Sequence, residues 1–582
     1  MALTPWKLLI RSTLICGLSG TVLFGLALKR IEPLPLSAVP VRFEAKSAHQ
    51  YMSTLAKGFK NRVTWSESRR KAAQWVKDEF RKLGYSPRGL QFSEVIDGKK
   101  YTDLENVFAE KRGTGHPDEI IVAMAHYDIT DTTTEGAMDD ASGVGVVLEL
   151  ARVFSKIPSD RTLVFLLTDS EEFGSFWGAR AFAKNFEKAD KIVAAINIDF
   201  LAPEKQKQIL TLCDGLKTGF TPLWLREMAL DSLRSFGQVE AADMSHILEF
   251  VQRAVQIPAA DHGAFLEAGI PAFNWVGQTE NFTHDMAHYH HTSHDVAEAM
   301  QPESFDQAGK AAERLIHSIN ALPKLPGDFK SSSYWKVSPH LYIEGWAATL
   351  LHIFAFIPFL LYGIAKLRTT FQEHPRDQVL AVFGNEAKNI GILLGSLLLG
   401  YVVMLLLPAL NIITQYETFP ATQKSLLLYT PNVIALLLVA GSVIGVYWLF
   451  RLIFSEPEDT IAHVRIRHAF HSGFLTVIIF LALLKNSYLA VLLLLPPAYF
   501  WTSVRDRRRV HGRILNFILL GGGAITLVTA VAVLTTIFHV GVAYWWLFLS
   551  ASYGLISAYA VVLFLMAVAI LLRLFRSFVL CL

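Results

Sequence analysis

The sequence predicts an α/β domain with a mixed, largely parallel central sheet flanked by helices, set between an N-terminal membrane anchor and a C-terminal polytopic α-helical membrane domain. Three observations predict this. Hydrophobic residues make up 52% of 582 residues and the mean hydropathy is +0.34, too apolar for a wholly soluble enzyme. The excess is uneven: residues 31–330 read as charged, mixed sequence, while 345–575 is dominated by long apolar runs. Within the first of these regions, strand-length apolar runs alternate with stretches of helical spacing.

The elements follow in chain order. Leu8 to Leu28 is an apolar stretch broken only by Arg11 and flanked by Lys7 and Lys29-Arg30. It is long enough to cross a hydrocarbon core of roughly 30 Å. A cleavable signal is the competing reading, on the weak small-x-small pattern at Gly25 and Ala27. The length favours an uncleaved anchor over 1–30. "AKSAHQYMSTLAKGF" and "SESRRKAAQWVKDEFRKLGY" show helical spacing, the second stopping at Gly84. Extended segments are expected near 88–95 and 104–110. "DEIIVAMAHYD" suits a central strand. A helix starting near Ser142, the strand "RTLVFLL", the helix "SFWGARAFAKNF" and the strand "KIVAAINIDF" continue the alternation. The domain is expected over 31–327, with a linker over 328–344 around Pro326-Gly327 and Ser331–Ser333.

Seven further spans are expected within 345–582, near 345–365, 389–413, 428–450, 468–484, 488–504, 514–538 and 552–572. The two joined by Lys485-Asn486-Ser487 are short, and read either as two spans or as a hairpin. Basic residues collect in alternate loops: Lys366, Arg368, Arg376 and Lys388; Arg451, Arg465 and Arg467; then Arg505 to Arg513. Both termini are therefore expected in the cytoplasm. The globular domain then lies on the far side, in a periplasm or, less favoured, an organelle lumen. No Asp or Glu falls inside the seven runs as drawn, which argues against an ion-coupled transporter. His352 reads as a polar residue satisfied between helices, and Pro408, Pro431 and Pro496-Pro497 as kinks.

Charge and cysteine use exclude other classes. The net charge is +3 without a basic patch carrying interleaved aromatics, so nucleic acid is not an expected partner. Three cysteines make no disulfide framework. The sequon Asn281-Phe282-Thr283 reads as a chance match.

Polar residues then collect where strands end, which is where α/β sheets gather chemistry. His126 and Asp128 follow the first central strand, Asp139 and Asp140 its loop, Glu171 and Glu172 the next strand, and Asp199 the third. "HYHHTSHD" (His288–Asp295) lies downstream. Singly these have ordinary readings, as a surface turn, a helix cap or a solvated loop. Together they offer nitrogen and oxygen ligands without thiolate, which suits zinc or another borderline ion. Two histidines and three carboxylates hold two metals if one carboxylate bridges. A further, unligated carboxylate is then needed as base.

"AHYD", "GAMDDASG", "DSEEFG", "NIDF", "ADHGAFLEAGIPAF" and "HHTSHD" resemble the ordered motifs of metallopeptidase family 28, the co-catalytic zinc aminopeptidases. With the membrane region behind it, the chain further resembles the multi-span endoplasmic reticulum metallopeptidase branch and its bacterial relatives. The resemblance covers about 45–320 and implies a zinc-exopeptidase fold and two Zn2+ ions. It implies Asp139 as the bridging ligand, His126 and Asp199 on one metal, Glu172 and His291 on the other, and Glu171 as general base. Asp128 would orient His126. Asp261-His262 would lie near the substrate, with Ala260 where the family has serine. Met138, Asp140, Ser170 and Val296 also depart from the family pattern, and none of these changes removes a ligand. His288, His290 and His294 have no motif role and are expected at the surface or behind the ligands.

The expected reaction is hydrolysis of N-terminal residues from peptides with a free N-terminus, at a lipid bilayer. A glutaminyl-cyclase-like enzyme working with one zinc and a catalytically inactive domain on a membrane scaffold are the alternatives.

Overall fold

The computed structural model describes residues 4–537 apart from 97–98, 173–175, 202–205, 216–218, 256–259, 280–284, 286–287, 331, 408–409, 411, 413–432, 455–460 and 504–509, and beyond 537 only a few residues between 562 and 573. The sequon, Pro408, Pro431, the run of arginines from 505 and most of the 552–572 run lie outside the described residues.

An eight-stranded mixed sheet carries the globular domain. Its strands are β2 (Arg88–Ile96), β3 (Lys99–Lys111), β4 (His116–His126), β5 (Arg161–Thr168), β6 (Ile192–Ile198), β7 (Gln208–Leu212), β8 (Glu240–Asp243) and β9 (Ala272–Gln278), with β1 (Lys29–Arg30) outside it. The order is β2-β3-β5-β4-β6-β9-β7-β8. The centre, β5-β4-β6-β9, is parallel, and both flanks add antiparallel pairs.

Why these runs are strands follows from their cover. β5 and β6 are buried along their whole length, as continuous Val, Ile and Leu runs are when both faces of a parallel sheet are packed. Along β4 the period of two divides the side chains. Ile121, Ala123 and Ala125 enter the core beneath the helices Ala45–Gly58, Ser142–Ser155 and Glu303–Ala321. Ile120, Val122 and Met124 enter a second core with Phe182 and Phe265, from the helices Trp177–Asn185 and His262–Glu267. Parallel register sets His126 beside Thr168, and Met124 beside Asn197. The carboxyl ends of β4, β5 and β6 are thereby brought level.

The stretch 328–344, expected as a linker, contains two strands. β10 (Tyr334–Ser338) pairs with β11 (Leu341–Glu344), and β11 pairs with β1. This small sheet ties the helix Pro5–Ala27 to the helix Gly345–Glu373, and Lys29 forms an ion pair with Glu344.

Four helices among the described residues are long and apolar enough to cross a membrane: Pro5–Ala27, Gly345–Glu373, Arg376–Leu406 and His463–Lys485. Shorter apolar helices, Leu437–Ile453, Ser487–Thr502 and Ile514–Thr529, coincide with three more of the expected runs.

One expectation is corrected. The run drawn from 389 belongs to a helix starting at Arg376, and that helix carries a buried acid, Glu386. Glu386 Oε1 meets Arg573 Nη2 at 2.8 Å and Arg467 Nε at 3.3 Å, while Oε2 meets His471 Nε2 at 3.0 Å. The expected run begins three residues beyond Glu386, because hydropathy marks where the apolar residues begin and not where the helix does. His352 fits its reading: Nδ1 lies 2.8 Å from Ser487 Oγ.

Candidate active site

The loop after β4 is built before any ligand is placed. Arg62, fully buried, donates from Nε to the Tyr127 carbonyl at 2.7 Å and from Nη2 to that of Gly136 at 2.7 Å, and Nη1 reaches Glu135 O. Gly136 has φ +53°, and a Cβ there would stand 2.2 Å from Ile129 Cγ2, so the position requires glycine. Asp295 then accepts the N–H of Met138 at 2.6 Å and of Asp139 at 3.2 Å. Asp140 takes the ordinary role open to it: Oδ1 accepts Gly143 N at 2.8 Å at the start of the next helix, and Oδ2 accepts His126 N at 3.3 Å. Asp139 is left projecting between two histidines.

Asp139 Oδ1 lies 3.0 Å from His126 Nε2, and Oδ2 lies 3.1 Å from His291 Nε2. The same His126 nitrogen is 3.7 Å from Asp199 Oδ1 and 4.0 Å from Glu171 Oε2. His291 Nε2 is 2.7 Å from Glu172 Oε2. Ligand-type atoms converge within 4.8 Å in three overlapping sets: His126, Glu171 and Asp199; His126, Asp139 and Glu172; Asp139, His290 and His291. All are buried except the half-buried His290.

Behind these groups, Asp128 Oδ1 stands 3.5 Å from His126 Nδ1. It also accepts the N–H of Glu171 at 3.0 Å, and Oδ2 that of Glu172 at 3.3 Å. Ser170, Phe200 and His291 hold left-handed backbone at φ +61°, +59° and +56°. Each is a site residue or adjoins one, and such conformations persist where surrounding structure enforces them.

The electrostatics follow from crowding acids in a dry place. Burial raises Glu171 well above the ordinary glutamate range despite His126, with Asp199, Glu172 and Asp261 adding to the rise. Glu172 is pushed up to about 7 by burial and Asp139, against His291. Burial pulls on His291, but Glu172 and Asp139 win and raise it to about 10. His126 is likewise held well above the usual histidine range, burial being outweighed by Glu171, Asp128, Asp139 and Asp199. Asp139 stays well below the carboxylate range, because His126 and His291 overcome burial. Buried carboxylates in this number call for cations, and the nitrogen and oxygen donors match a zinc-type set.

His290 departs from its expected place. It stacks on His291 at 3.8 Å between centroids, and its Nε2 is 3.3 Å from Asp139 Oδ2. No motif marks it, because its approach depends on the turn at His291. His288 and His294 instead stack on each other at 4.3 Å. Asp261 reaches the cluster's edge, accepting a hydrogen bond from Thr168 Oγ1 at the end of β5. His262 is fully buried, and neither of its ring nitrogens makes a hydrogen bond to a member of the cluster.

Residues 106–316 match the family model described as Peptidase family M28. A probable zinc metalloprotease of Pyrenophora tritici-repentis is 25% identical over 299 residues, covering 44% of this chain and 61% of that protein. Aminopeptidase YwaD of Bacillus subtilis is 28% identical over 225 residues, 38% of this chain and 46% of its own. The chain thus spans about half the length of these curated relatives. A solved zinc aminopeptidase from Bacillus subtilis aligns at 17% identity and a TM-score of 0.42, over 49% of this chain and 98% of that one. Residues 106–316 are thus similar to Peptidase family M28.

Proposed function

We propose that the protein is a membrane-bound, zinc-dependent aminopeptidase with a bridged two-metal site. The observation that carries this reading is Asp139, whose two carboxylate oxygens face two different histidines at 3.0 and 3.1 Å. A carboxylate so placed can serve two ions at once. His126 and Asp199 would complete one set of ligands, and Glu172 and His291 the other. Zinc bound there supplies Lewis acidity and a water of lowered pKa.

Glu171 is proposed as the base. It is held at the cluster's edge, with Oε2 4.0 Å from His126 Nε2, where a carboxylate can take a proton from the attacking water and later release it to the leaving amine. Asp128 would fix both Glu171 and the His126 ring, and Asp261 and His262 are proposed on the substrate side. The membrane helices and the alternation of basic loops support a non-cytoplasmic peptidase domain with both termini cytoplasmic.

Metal analysis of the purified protein, together with a screen of N-terminally free and blocked peptides, tests the proposal. Two zinc ions per chain and release of single amino acids from free N-termini only are expected. One ion, with cyclisation of N-terminal glutamine in place of hydrolysis, would transfer the site to the cyclase class. Equal cleavage of blocked peptides would exclude an aminopeptidase.

A further inference from the structure

The short sequence Lys485-Asn486-Ser487 joins two membrane-region helices and meets the peptidase domain there. Asn486 Oδ1 accepts the N–H of Leu489 at 3.1 Å, capping the helix that follows. Its Nδ2 donates to the carbonyls of Arg253 at 3.0 Å and Ala254 at 2.9 Å. Those carbonyls belong to the last turn of the helix His246–Val255 in the peptidase domain, where helix carbonyls lack intrahelical partners. One amide therefore caps the start of a membrane helix and the end of a peptidase-domain helix.

The contact is built up on both sides. The Phe250 ring lies 5.1 Å from Tyr488, 5.9 Å from His352 and 5.6 Å from Trp335. A buried ionic network fixes the same helix from behind. Glu249 holds Arg226 at 2.8 Å and Arg253 at 2.9 Å, Arg226 holds Asp243 at 2.7 Å, and Asp243 holds Lys336 of β10 at 2.8 Å. Asp261, six residues beyond this helix in the sequence, accepts a hydrogen bond from Thr168 at the end of β5, on the side of the sheet where the site lies.

We propose that Asn486 is a positioning residue through which the membrane domain holds the helix His246–Val255, and with it the Asp261 side of the peptidase site. The membrane region thus takes part in shaping the enzyme as well as tethering it. The effect on catalysis rests on the peptidase reading above.

The test is Asn486→Asp in the full chain in detergent or vesicles. Aspartate keeps the cap on Leu489 and replaces the donor with an acceptor facing two carbonyls. Displacements of about 1 Å remote from the chemistry cost up to about a hundredfold. We expect kcat for a free-N-terminus peptide to fall about tenfold or more, with KM changed less than about twofold and bound zinc unchanged. Amide exchange across 246–255 should accelerate in parallel. Asn486→Ser, which also keeps an acceptor for the cap and loses the donor, should behave alike. Unchanged kcat and unchanged exchange in both variants would overturn the proposal. Should the wild type hydrolyse no peptide, the peptidase reading fails, while the exchange measurement still decides whether Asn486 holds this helix.

Discussion

Asp128 Oδ1 accepts the backbone N–H of Glu171 at 3.0 Å, and its other oxygen accepts that of Glu172 at 3.3 Å. One carboxylate at the end of β4 therefore pins two successive residues after β5. The glutamate side chains then diverge, Glu171 toward His126 and Asp199, Glu172 toward His291. Replacing Asp128 with alanine frees both. Groups of this kind behind a metal ligand are worth about 10–100-fold in affinity or activity. Asp128→Ala is expected to lose that much in zinc affinity, measured by competition with a chelator, and Asp128→Asn, which keeps an acceptor, less.

The divergence separates two variants. Glu172→Ala should lower the zinc content. Glu171→Gln should retain zinc and lower kcat by about 10²–10⁴-fold, the usual worth of a general base. Retention of full kcat by Glu171→Gln would remove Glu171 from the role of base.

His290 tests whether the structure adds a ligand-side residue that the motifs lack. Its ring shares Asp139 Oδ2 with His291. His290→Ala is expected to weaken zinc binding by about tenfold, less than His291→Ala, when both are titrated under the same conditions.

In the membrane region, Glu386 joins the helix Arg376–Leu406 to His471 and Arg573 on two other segments. Removing one partner of a buried ion pair costs about 3–5 kcal/mol because the others stay buried. Glu386→Gln should lower the detergent-solubilised Tm without altering the zinc content.

Asp214 supplies a pH test outside the cluster. Burial pushes its carboxyl up to about 7, above the unfolded value of about 3.9. The folded state then holds a proton that the unfolded state releases between these values. This contribution to stability is present below about pH 4 and is lost as pH rises to 7. Asp214→Asn should therefore gain more in Tm, relative to wild type, at pH 8 than at pH 4.

The sequence by itself determined the α/β alternation, the apolar segments and most of the polar set at the strand ends. Strand runs such as Thr162–Leu167 are legible because burial on both faces selects for them locally, and His126, Asp139, Glu171, Glu172 and Asp199 stand out by following such runs. Tertiary structure alone decided the rest. It brings His290 to Asp139, joins Thr168 to Asp261, turns the 328–344 linker into strands, and places Glu386 against His471 and Arg573. The physical reason is common to all four: each depends on a partner distant in the chain, and neither periodicity nor hydropathy carries that partner's direction.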